Sequence, residues 1–312
     1  MDPLSEVLSL LKLKTFVSGG FVVDEKSGIQ FRKHEGLKCY AVVRGSCWLA
    51  VEGVTDAVLM EEGDCILLPR GRPFCLATDL SSPRVDFSHE MAERKSDTAI
   101  FSDAARGCSI LGGYFLMIGG HSEILLNALP PIVHIRKESN KAVMRWSLEC
   151  LREELRNPQP GGSLVAQQLA YIMLVQALRL YLQSEVTKGV GWLFALADPQ
   201  MRIAITCMHD EPEHPWTLQE LAHRVGMSRT VFAQRFKGRV GMTSMEYLSR
   251  WRMLLASDRL NTSDEPVSKI AWSIGYETES AFGKAFKRVL GCSPREHRLR
   301  HKAGPLPDTT NE

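Results

Sequence analysis

Two stretches of this 312-residue chain repeat one another about fifty residues apart, and the repeat constrains the fold more than any other feature. The first copy carries Leu218, Leu221, Ala222, Gly226, Phe232, Phe236, Lys237 and Gly241. The second carries Val267, Ile270, Ala271, Gly275, Phe282, Phe286, Lys287 and Gly291. The offset is 49 residues up to the first glycine and 50 beyond it, so the second turn is one residue longer. An insertion at a turn leaves both flanking helices intact.

Each copy reads as helix, turn, helix. In TLQELAHRV the apolar residues Leu218, Leu221, Ala222 and Val225 fall on one helical face, and the small Ala222 lets a second helix approach closely. Gly226 supplies the left-handed conformation that ends a helix. Ser228 in the first copy and Thr278 in the second are N-cap residues. With Phe232 and Phe236 turned to the core, Arg229, Thr230, Ala233, Gln234 and Lys237 lie outward. The corresponding outward set is Glu279, Ser280, Gly283, Lys284 and Lys287. A DNA major groove admits such a helix, and these polar side chains match base-edge donors and acceptors.

Charge supports the same partner without proving it. The overall balance is +2, yet residues 201–300 hold 16 Lys and Arg against 11 Asp and Glu, leaving the rest of the chain net acidic. A single helix, MEYLSRWRMLLASDRL, joins the two copies and adds Arg250, Arg252 and Arg259.

Upstream the pattern changes. Between about Phe16 and Ala77, short apolar runs separated by glycine turns predict an antiparallel β sandwich or barrel. From Pro131 onward KAVMRWSLECLREELRN and SLVAQQLAYIMLVQALRLYLQS predict a helical hairpin broken at PQPGG. The second of these is long enough for a membrane span but contains Gln167, Gln168, Gln176 and Arg179, so it reads as a buried or interface helix, with no membrane partner expected. The predicted organisation is an α+β multidomain chain: a β domain over 1–130, a helical linker and dimerisation region over 131–195, an all-α domain over 196–300 and a disordered tail over 301–312. The N-terminal MDPLSEVLSLLKLK lacks the order of a signal peptide, and the eight cysteines form no CxxC pair, which together predict a cytoplasmic protein with free, mostly buried thiols.

The run from Trp216 to Arg298, with both glycine turns, the Arg252-Met253 pair and the GCSP ending, closely resembles the DNA-binding domain of AraC/XylS-type transcriptional regulators. GSCWLAVEG, EEGDCILLPRGRPF, NALPPIVHI, PGGS, GWLFALADP and HDEPEHPW resemble the cupin-bearing branch of that family. The resemblance implies an N-terminal cupin-like barrel that senses a small molecule or stress signal, and a C-terminal double helix-turn-helix that binds promoter DNA. It implies base reading by Thr230, Ala233 and Gln234 in the first copy and by Glu279, Ser280, Ala281 and Lys284 in the second. Ala233 departs from the longer polar residue some members carry, leaving it only apolar contact with a base. Arg229, Arg235, Lys237, Arg239, Arg250, Arg252, Lys287 and Arg288 are candidates for phosphate contact, of which about half are expected to touch the backbone. A homodimer, a contact with RNA polymerase and an activating role follow by family habit.

A metal site is not expected. His34 stands alone, Phe74 occupies the place where many cupins carry a second histidine, and there is no HxH. The alternative, a cupin-type metal-dependent enzyme with a helical appendage, would need a stoichiometric metal. No cofactor is implied and no catalytic constellation stands out. His34, Arg70 and Arg72 are candidates for an effector pocket, the arginines for an anionic ligand at the barrel mouth. Cys39, Cys47, Cys65 and Cys75 lie in or near strands and raise oxidant sensing as a hypothesis, which would require a lowered thiol pKa.

Overall fold

The computed structural model describes residues 2–87, 107–117, 129–136, 142–183 and 189–302. The chain divides into two units, Leu13–Thr187 and Met1–Lys12 with Lys188–Glu312. The N-terminal dozen residues, which the sequence reading grouped with the β domain, therefore belong with the C-terminal helices.

Unit Leu13–Thr187 is built on two facing five-stranded sheets. The first has the order β1 (Leu13–Val23), β9 (Cys108–Met117), β3 (Leu37–Arg44), β6 (Cys65–Leu68) and β10 (Val133–Ile135). The second runs β5 (Val58–Glu61), β4 (Ser46–Val51), β7 (Phe74–Ala77), β2 (Gly28–Phe31) and β8 (Arg84–Asp86). The sheets do not close into a barrel, and one pair, β2 with β8, is parallel in an otherwise antiparallel arrangement.

Alternation along β3 explains how the layers stack. Tyr40 and Val42 point into the space between the sheets, where Phe21, Phe31, Phe74, Ile66 and Leu76 complete a core. Cys39 and Ala41 point the other way, toward Leu151 of helix α2 (Ala142–Arg156) and Ala170 and Met173 of α3 (Gly162–Gln183). Both faces of this sheet are thus covered, and β3 and β6 read as nearly continuous apolar runs. Among the described residues α3 is the one helix long and apolar enough to cross a membrane, and it packs on α2, β1 and β10.

The second unit contains α1 (Pro3–Leu11), α4 (Trp192–Ala195), α5 (Pro199–Asp210), α6 (Leu218–Arg224), α7 (Arg229–Val240), α8 (Ser244–Thr262), α9 (Val267–Trp272), α10 (Glu279–Leu290) and α11 (Pro294–Lys302). Helix α1, capped by Asp2, is pinned through a buried polar chain. His209 of α5 lies stacked on Trp251 at 3.7 Å between ring centroids; its Nδ1–H donates to Glu6 at 2.8 Å, and its Nε2 accepts from the Tyr247 hydroxyl at 2.8 Å. Burial lowers the His209 pKa against the opposing pull of Glu6, so the ring is neutral and each nitrogen has one role. Lys12 pairs with Asp258 of α8. Residues 303–312, most of the predicted tail, lie outside the described residues.

Candidate nucleic-acid interface

The turn and cap geometry recurs in both copies of the repeat. Gly226 and Gly275 end the first helices at φ +68° and +83°. In each turn the next residue's N–H reaches back to the matching alanine carbonyl, Met227 to Ala222 at 2.9 Å and Tyr276 to Ala271 at 3.0 Å. Ser228 Oγ accepts from the Val231 N–H at 3.3 Å, and Thr278 Oγ1 from the Ala281 N–H at 3.2 Å. The phenylalanine pairs sit at centroid distances of 5.5 and 5.4 Å, and all four rings are fully buried. Gly241 and Gly291 close α7 and α10 in the left-handed region.

The correspondence runs further than the sequence reading took it. Thr243 and Glu246 form a reciprocal capping box at the start of α8, and Ser293 and Glu296 do the same for α11, again fifty residues on. The signal was present as Thr243-x-x-Glu246 and Ser293-x-x-Glu296.

With both phenylalanines inward, Thr230 and Gln234 of α7 are exposed and Ala233 is half-buried on the flank of that face. Glu279, Ser280, Ala281 and Lys284 of α10 are all exposed. Glu279 sits in the first turn, where the helix dipole favours a negative charge, and its carboxylate lies 3.5 Å from Arg295. Applying the fifty-residue offset to Ala281 identifies Val231, 51% exposed beside Thr230, as an outward residue the sequence reading passed over.

The eight basic candidates separate into two groups. Arg229, Lys237, Arg250, Lys287 and Arg288 are exposed. Arg235 is committed internally: Nε and Nη2 donate to Asp198 at 3.0 and 2.8 Å and Nη1 to Gln200 at 2.8 Å. Arg239 stands on the edge of that pair, 3.9 Å from the same carboxylate. Arg252 is likewise spent, donating from Nε to the Pro212 carbonyl at 2.6 Å and from Nη2 to the His214 carbonyl at 2.8 Å. Arg235 and Arg252 thus already donate to acceptors within this unit, the buried Asp198 carboxylate and the partly buried 212–214 carbonyls among them. Burial alone would raise the Asp198 carboxyl pKa, but Arg235 and the Met201 and Gln200 N–H groups together hold it below the usual aspartate range.

In the sandwich unit the candidate effector residues behave differently from one another. Arg70 donates from Nε and Nη2 to the Leu129 carbonyl at 3.2 and 2.9 Å, and Arg72 from Nη1 to the Glu52 and Gly53 carbonyls. Both guanidinium groups thus serve the fold. His34 does not: Nδ1 and Nε2 are closed off from solvent and have no hydrogen-bond partner, a costly arrangement of roughly 1–3 kcal/mol per group. Among the described residues no three His, Cys, Asp or Glu side chains gather as a metal site.

The sandwich thiols Cys39, Cys47, Cys65 and Cys75 are free and buried. Cys39 and Cys65 Sγ atoms lie 3.7 Å apart, a contact that together with burial raises the Cys39 pKa. A hydrogen bond with Cys108 and burial raise Cys47, and burial raises Cys75. These shifts run opposite to the lowered pKa that a thiolate oxidant sensor requires.

Residues 2–183 match the cupin family and residues 221–300 the helix-turn-helix domain family. A putative AraC-like transcription regulator of Streptomyces antibioticus is 39% identical over 96% of this chain and 98% of its own length. The chain belongs to the AraC-like transcriptional regulators. The regulator AlkR of Acinetobacter baylyi is 29% identical over 85% of this chain and 88% of its own, and MtrA of Neisseria gonorrhoeae 27% over 96% and 98%. This AraC-like regulator accordingly binds DNA through its helix-turn-helix domain, and α7 and α10 are the equivalent second helices of its two motifs.

Proposed function

We propose that this regulator reads promoter DNA with α7 and α10 in successive major-groove segments on one face of the duplex, about 34 Å apart as one helical turn requires. The observation that carries the reading is the repetition itself, two identically capped helices each presenting a polar face with exposed cations. Thr230, Gln234 and the apolar edge of Ala233 read one segment; Glu279, Ser280, Ala281 and Lys284 read the other. Arg229, Lys237, Arg239, Arg250, Lys287 and Arg288 neutralise phosphates. The cupin domain senses a small molecule and the chain works in the cytoplasm as an activator that contacts RNA polymerase, with no enzymatic step.

Dimerisation is assigned to the α2–α3 hairpin. Val143, Trp146, Leu164 and Val165 are exposed there, Trp146 at 58% and Leu164 at 64%, which is apolar surface that a second copy would cover.

Selection from a randomised duplex library tests the reading. The full chain should enrich one sequence with two half-sites, with affinity falling steeply as salt rises. Gln234→Ala and Lys284→Ala should each relax preference in a different half-site, by roughly 1–3 kcal/mol. Enrichment of no sequence by the wild-type chain would sink it.

A further inference from the structure

Val231 stands in the first turn of α7, and its N–H is the one that the capping Ser228 Oγ accepts. It is 51% exposed, the one large apolar side chain in α7 or α10 that faces solvent to this extent. Exposed Thr230 precedes it, and exposed Gln234 lies one turn on, at the i to i+3 spacing that makes side chains neighbours on a helix surface. Val231 thus sits among the polar residues proposed to read bases, away from the core side that Phe232 and Phe236 occupy.

Neither helix stability nor solubility accounts for a valine there. Valine is a poorer helix former than alanine, the residue at the equivalent position 281, and its exposed apolar surface is unfavourable in water. That surface matches one feature of the major groove. Thymine alone among the four bases presents a methyl group there, and an apolar side chain is what recognises it. The residues at the N-terminal end of a reading helix are the ones that meet base edges, which is where Val231 lies. Its branched Cβ leaves one strongly preferred rotamer in a helix, so little freedom is lost on contact. Ala233, to which the sequence reading gave the apolar contact, is half-buried and carries a single methyl, so Val231 has more surface to offer.

We infer that Val231 is a specificity-determining residue of the first motif and recognises the C5-methyl group of a thymine. The inference rests on the proposal that α7 enters the major groove. Val231 and Gln234 are neighbours on the helix and base pairs stack about 3.4 Å apart, so the thymine lies within about two base pairs of the position that Gln234 reads.

Deoxyuridine, which is thymidine without that methyl, tests the contact directly. In the duplex selected by the full chain, each thymidine of the half-site that Gln234→Ala relaxes is replaced in turn, and affinities are measured for wild type and Val231→Ala. One replacement within that span should weaken wild-type binding about fourfold, the worth of one buried methyl group. The same replacement should change Val231→Ala binding by less than about twofold, and Val231→Ala should bind the thymidine duplex more weakly than wild type does. Its melting temperature should stay level or rise, because alanine is the better helix former, so lost affinity is not lost fold. Val231→Ile, which keeps the branched apolar group, should retain the wild-type sensitivity to deoxyuridine. The inference is overturned if no thymidine in the half-site is sensitive, or if the sensitive one is equally sensitive in Val231→Ala, and the proposal that α7 reads the groove survives either result. If the wild-type chain selects no duplex at all, that proposal fails instead and Val231 loses its role with it.

Discussion

The two helix-turn-helix motifs share their internal frame and differ in what holds them. Caps, glycine turns, phenylalanine pairs and capping boxes recur at matching positions, because each residue type there solves a local backbone problem that arises twice. The attachments are not repeated. In the first motif Arg235 reaches back to Asp198, which is only 7% exposed and also caps α5. The equivalent residue in the second motif is Ala285, buried against the core. The first glycine turn is open, with nothing near a Cβ at Gly226, whereas at Gly275 a Cβ would sit 2.5 Å from the Glu213 carbonyl oxygen and 2.8 Å from Arg252 Nη2. A motif's own geometry is thus encoded within the motif, and its anchorage is supplied by whichever segment lies alongside.

The sharpest way to break this comparison is to place alanine at both turns. At Gly275 it meets left-handed strain of roughly 1–2 kcal/mol and a contact that costs roughly 1–3 more, because the 212–214 segment is pinned by Arg252 and has little room to yield. Thermal unfolding should show Gly275→Ala as the most damaging of these substitutions. Next comes Asp198→Asn, which keeps a helix cap but removes the charge facing Arg235. A loss of about 1–2 kcal/mol is expected, discounted because the Arg235 side chain is 40% exposed. The folded carboxyl titrates below the usual 3.8, so its stabilisation is complete above that value and disappears as pH falls through the folded pKa. The melting-temperature gap between wild type and Asp198→Asn should therefore be widest near neutrality and close in acid; a gap independent of pH would mean the ion pair is not its source. Gly226→Ala should cost only the strain, about 1 kcal/mol, and equal losses at the two turns would erase the distinction between them.

What the sequence made legible follows the same division. Phe232 with Phe236, Ser228, Thr278 and the two glycines announced themselves because each acts over a few residues and the repeat states it twice. Asp198 with Arg235, and Arg252 with Pro212 and His214, stayed hidden among the basic candidates because their partners lie 37, 40 and 38 residues away. In the sandwich the strands were readable from short apolar runs between glycine turns, while the bond from Arg70 to the Leu129 carbonyl, 59 residues away, left no local mark. The docking of Glu6 on His209, 203 residues apart, has no local signature at all.

The smallest expected effect also has the opposite sign. Gly238 in α7 and Gly283 in α10 lie inside helices, and a Cβ at either would meet nothing within 4 Å. No contact inside the protein requires a glycine there, and each costs its helix up to about 1 kcal/mol relative to alanine. Gly238→Ala and Gly283→Ala should both raise the melting temperature. They should part company on DNA. Gly283 adjoins Lys284 at the position equivalent to Ala233, on the flank of the reading face, whereas Gly238 falls at the position equivalent to Arg288. If α10 approaches the bases as proposed, the added methyl in Gly283→Ala meets the duplex and weakens binding to the selected sequence, while Gly238→Ala leaves sequence preference unchanged. Greater stability with undiminished affinity in Gly283→Ala would show that α10 meets DNA by another face.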